Sequence, residues 1–79
     1  MSSTVERIRR ILSGPLRLDP STIKPADTLE SLGLEDEVTR DDIVIALENE
    51  FLINIPNDDV MKLTGWTVQQ LADYIAKQV

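Results

Sequence analysis

Seventy-nine residues suffice for one small domain spanning 1–79, and with no cysteine for a disulfide or a thiolate metal site it must hold itself by compact packing. Histidine is absent too, which removes the commonest metal ligand and the usual general base near neutral pH, so an independent catalyst is not expected. Fourteen acids against eight bases give a formal net charge of -6, which repels nucleic acid and suits basic protein surfaces, although acidity also serves plain solubility.

Ser3 and Glu6 have capping-box spacing and predict a first helix beginning there. Val5, Ile8, Ile11 and Leu12 recur three and four apart and fall on one face. Gly14-Pro15 predicts an end near Ser13, because proline disfavours helical geometry in the residue before it. Charges among the apolar residues of this stretch predict no signal peptide, and no apolar run is long enough for membrane insertion. A cytoplasmic location is the resulting expectation. A long connection follows, with turns at Asp19-Pro20-Ser21 and Lys24-Pro25-Ala26-Asp27, pinned to the core by Leu16, Leu18 and Ile23.

After the 28–34 segment, closed by a glycine, comes an acidic stretch, Glu35-Asp36-Glu37. Thr39, three residues before Asp42, is a candidate cap, which leaves the start of the second helix anywhere from Asp36 to Thr39. Ile43, Leu47 and Phe51 make its core stripe, with Val44 and Ile45 either widening it or staying partly exposed. Asn54-Ile55-Pro56 stops this helix, and Asn57 is expected to cap a short third one over 58–63, with Val60 and Leu63 inward. Thr67 and Gln70 open a last helix through Val68, Leu71, Ala72 and Ile75, with Tyr74 covering part of its face. No strand alternation persists. The predicted fold is all-α: three main helices plus one short helix, with a long loop after the first.

Three stretches in this order and spacing resemble the acyl carrier protein family. They are Thr28-Leu29-Glu30-Ser31-Leu32-Gly33-Leu34, the run from Ile43 through Ala46-Leu47-Glu48-Asn49-Glu50-Phe51 with Ile55-Pro56 after it, and Thr67 through Leu71-Ala72-Asp73-Tyr74-Ile75. The resemblance implies the carrier bundle. It also implies a serine, in an Asp-Ser-Leu motif at the start of the second helix, to which a transferase attaches 4'-phosphopantetheine from coenzyme A.

That serine is missing. Counting back from Ala46-Leu47-Glu48, its position falls on Glu37, between Asp36 and Val38; counting forward from Leu32-Gly33-Leu34, it falls on Asp36. Both registers land on an acid, which cannot form the phosphodiester, so no cofactor is expected. The fallback hydroxyl is Thr39, whose simpler reading is a helix cap. Ser31 reads as an ordinary turn or surface serine.

In the resembled family, acids of the second helix dock onto arginine and lysine patches of partner enzymes. Asp36, Glu37, Asp41, Asp42, Ile45 and Glu48 occupy that face here, with Glu50 and Asp58 nearby and Arg40 interrupting the charge. Glu35, Asp36, Glu37, Asp41 and Asp42 lack EF-hand spacing and read as a solvated helix start. Trp66 reads as a plug at the end of the bundle, or else as an aromatic anchor for a partner. Arg7, Arg9, Arg10 and Arg17 set a basic first helix against the acidic second.

The function expected is a carrier-like docking module without the prosthetic arm, monomeric alone, meeting basic patches of acyl-transfer or synthase enzymes. The alternatives are a working acyl carrier in fatty-acid or polyketide biosynthesis modified at Thr39, and a structural subunit of such a complex.

Overall fold

The computed structural model describes residues 3–79. It is an all-α bundle of α1 (Thr4–Leu16), α2 (Glu37–Phe51), the short α3 (Asn57–Leu63) and α4 (Val68–Gln78). The long connection between α1 and α2 carries a 3-10 turn at Pro20–Thr22 and a π-type turn at Glu30–Leu34. Helix α1 packs against both α2 and α4.

The core is aliphatic. Ile8 and Leu12 of α1 meet Ile43, Val44, Leu47 and Phe51 of α2 and Val68, Leu71, Ala72 and Ile75 of α4. Leu63 closes it from α3, and Ile23, Leu29 and Leu34 pin the connection, each fully buried. Leu16 and Leu18 pack against this cluster at its edge, as their apolarity predicts. No polar or charged residue is buried among the described residues, so the core itself is held by removal of apolar surface from water.

Two helix ends differ from expectation. Helix α1 does not stop near Ser13; it runs through Gly14 and Pro15 to Leu16. Proline clashes with the amide and Cβ of the residue before it, and glycine has no Cβ, so half of that conflict is gone. The helix closes instead at Arg17, which takes left-handed geometry (φ 54°), with Arg17 N donating to Gly14 O and Leu18 N to Ser13 O. Asn57 is not a cap either. It is the first residue of α3, preceded by Pro56, and no side chain caps that start. Of the two expected capping boxes, the one at Ser3 forms only its hydroxyl half and the one at Thr67 is complete. Ser3 Oγ accepts from Glu6 N at 3.1 Å, and Thr67 and Gln70 form a reciprocal capping box.

Candidate docking face on the second helix

The position of α2 is set from a distance. The segment before it is stitched to the α3–α4 connection: Leu29 N donates to Trp66 O, Glu30 N to Thr64 O, and Val68 N to Asp27 O, all within 2.9 Å. Thr28 and Thr67 form an isolated antiparallel bridge at the same seam. The chain then turns at Gly33, whose φ of 117° is open to glycine and strained for any other residue. A Cβ there would also stand 3.0 Å from Leu16 Cδ2. Asp36 N donates back to Gly33 O, which delivers Asp36 to the head of α2.

Asp36, and not Thr39, caps α2. Its Oδ2 accepts from Thr39 N at 3.0 Å and from Thr39 Oγ1 at 2.8 Å. The bond from the Thr39 amide, then that from its hydroxyl, holds the Asp36 carboxyl below its usual 3.8, with Arg40 adding a smaller attraction. Thr39 therefore lies in the first turn, half-buried, its hydroxyl committed to the cap. Glu37 is the first helical residue and is exposed, as is Val38. Arg40 turns back along the chain, Nη1 reaching Leu34 O at 3.4 Å while its Nε is buried without a partner.

Of the remaining predicted docking residues, Asp41, Asp42 and Ile45 are exposed together on the outer side of α2. Glu48 has a second task. It is half-buried, and its Oε2 accepts from Ile55 N at 2.8 Å, while its backbone oxygen accepts from Leu52 N and Ile53 N. It thus closes the end of α2 and holds the turn into α3. Among the described residues no three acids converge as a bound cation would need. A groove of about 380 Å³, open to solvent, runs beside Ile45 between α2 and α3, bordered by Asp41, Glu48, Asn54 and Asn57 with Val44 and Val60 at its floor.

Sequence reasoning missed one feature of this face. Val38, Ile45 and Leu52 are 70, 56 and 89% exposed, and they stand seven residues apart. Their seven-residue spacing is legible in the sequence, but spacing alone does not separate an exposed row from a buried stripe. Leu52 also adopts left-handed geometry (φ 55°), rare for a large side chain.

The basic side of α1 is partly spent internally. Arg7 pairs with Glu50 at 2.8 Å and lies 4.3 Å over the Phe51 ring, and Arg9 Nε donates to Ile23 O. Trp66 is half-buried and packs 5.1 Å from Tyr74, whose hydroxyl donates to Asp59 at 2.6 Å. Burial first, then the Asp59 bond and charge, push the Tyr74 phenol up to about 12. No protein-family model matches the chain.

Proposed function

We propose that this protein is a carrier-like docking module that works without a prosthetic arm, in the cytoplasm, beside enzymes of acyl transfer or synthesis. One observation carries the reading: a carboxylate occupies the head of α2 in the role where the resemblance expects a modified hydroxyl. Asp36 takes up the Thr39 amide, and Glu37 beside it is also an acid. A carboxylate attacking coenzyme A's phosphate would give a mixed anhydride, which water cleaves, and no lasting phosphodiester. Thr39, the fallback hydroxyl, is tied to Asp36, which disfavours the working-carrier alternative. The acids left free for partners are Asp41, Asp42 and Glu37, with Ile45 between the first two as an apolar contact.

The test uses coenzyme A, a broad-specificity phosphopantetheinyl transferase and intact-mass measurement. Wild-type protein is expected to keep its mass; a pantetheine adduct would overturn the reading. The double variant Glu37→Ser, Val38→Leu rebuilds Asp-Ser-Leu on the existing Asp36 and is expected to gain the adduct. If neither it nor Asp36→Ser is modified, the carrier resemblance does not extend to transferase recognition.

A further inference from the structure

Charge is divided unevenly along this chain. Residues 1–24 hold five of the eight bases and two of the fourteen acids, while 25–79 hold three bases and twelve acids. The basic stretch contains α1 and the turn at Pro20–Thr22, and a cleft of about 160 Å³ opens between them. Glu6, Arg9 and Arg10 line it from α1, and Pro20 and Ser21 from the turn. Its walls are chiefly carbon, which a proline ring and the methylene stems of two arginines supply. Arg9 Nε donates to Ile23 O at 2.8 Å, and Ile23 is fully buried, so the fold holds one wall in place. Arg10 is different. It is exposed, and among the described residues its guanidinium makes no ion pair, although Glu6 stands four residues before it. Folding accounts for Arg9 and gives Arg10 no internal partner.

We propose that this cleft seats one aromatic side chain from a short acidic segment of a partner protein. The site shares no residue with the α2 face and does not depend on the armless reading. Size selects a side chain: ligand pockets run to about 300–1,000 Å³, whereas this cleft has room for a single ring. Two arginines beside it favour an aromatic ring over an aliphatic chain. The molecule already makes that contact once, with Arg7 lying 4.3 Å over the Phe51 ring. Charge selects the flanks. Arg10, Arg17 and Lys24 are exposed on this stretch without carboxylate partners, opposed by Glu6 and by Asp19, whose carboxylate is tied to Ser21. A short segment samples only charge within about 8 Å, whereas a vesicle surface or a nucleic-acid strand would reach over the acidic remainder and be repelled. A second copy has no exposed ring to offer. Its Phe51 is buried, and its Trp66 and Tyr74 are half-buried against each other.

The probe is a fluorescent peptide of about ten residues, a central phenylalanine among glutamates, titrated with the full chain and read by anisotropy. Two counterparts replace the phenylalanine by alanine or the glutamates by glutamine. Each is expected to bind at least about fivefold more weakly. Arg10→Gln should weaken the parent peptide about fivefold, and Glu6→Gln should strengthen it about twofold. Lys62→Gln makes the same change in net charge on α3 and should leave the affinity unchanged. All three residues are exposed, and circular dichroism checks that each variant stays helical.

Equal losses in Arg10→Gln and Lys62→Gln would overturn the proposal, since attraction would then follow net charge alone. So would an alanine peptide as tight as the parent, or no binding of the parent at about 1 mM protein. Glu6→Gln keeps both arginines, and weaker or unchanged binding there would also count against the cleft. A sedimentation dimer, binding to phosphatidylcholine–phosphatidylglycerol vesicles, or binding of oligothymidylate, if abolished by Arg10→Gln, would overturn it by giving the cleft another occupant. The mass test reads neither peptide nor cleft: a pantetheine adduct removes the armless reading and leaves this site standing.

Discussion

Helices α2 and α4 both pack on α1 and both bury four residues in the same core, yet they treat their outer sides differently. On α4 the side away from the core holds Gln69, Gln70, Asp73, Lys77 and Gln78, a polar surface with one small Ala76. On α2 it holds Val38 and Ile45, with Leu52 just beyond, set among acids. The sequence of α4 is explained by folding alone. That of α2 is explained by folding only on its inner side, and the remainder is where function has room to act.

Substitutions on the two helices put this contrast to measurement. Leu47→Ala on the inner side of α2 and Leu71→Ala on α4 should each cost about 2–5 kcal/mol in urea unfolding. Ile45→Ala should stay within about 0.5 kcal/mol. An Ile45 penalty as large as that of Leu47 would mean that α2 has no free side. Gly33→Ala acts on α2 alone, through the turn that delivers it, and should cost about 1–3 kcal/mol because alanine resists a φ of 117°. Leu52→Gly should stabilise by about 1 kcal/mol as left-handed strain is released; a loss there would show that Leu52 has an internal role.

The two helix starts differ in a way that pH can resolve. Thr67→Ala removes an uncharged cap and should cost about 1 kcal/mol, nearly independent of pH. Asp36 is a charged cap whose folded pKa is depressed, so its contribution is complete above its usual 3.8. It fades as pH falls through the lower folded value. The gap in stability between wild type and Asp36→Ala should therefore close in acid, while the Thr67 gap persists.

The parts of this fold that sequence could resolve are those governed by periodicity. The stripes Val5-Ile8-Ile11-Leu12, Ile43-Leu47-Phe51 and Val68-Leu71-Ile75 all face the core or pack against its edge. What it could not resolve depends on long-range placement. Whether Asp36 or Thr39 caps α2 turns on the direction in which Gly33 delivers the chain, which hydrogen bonds to 64–66 decide. Pro15 reads as a terminator in the sequence, yet Gly14 before it has no Cβ for the proline ring to meet, and the helix continues. On the candidate site, the exposure of Asp41, Asp42 and Ile45 was legible, but the bond from Ile55 N to Glu48 was not. Glu48, a docking-face acid by sequence, is also the clasp of a turn.

The chain has a single tryptophan and a single tyrosine, and their rings lie 5.1 Å apart at the α3–α4 end. At that separation the excited tyrosine passes its energy to the indole, so the folded molecule emits almost solely as tryptophan. Unfolding parts the pair and restores the tyrosine band. The protein thus carries an optical gauge where the α3–α4 connection meets α4, away from the positions altered on α2, and that gauge reads their consequences without being touched by them.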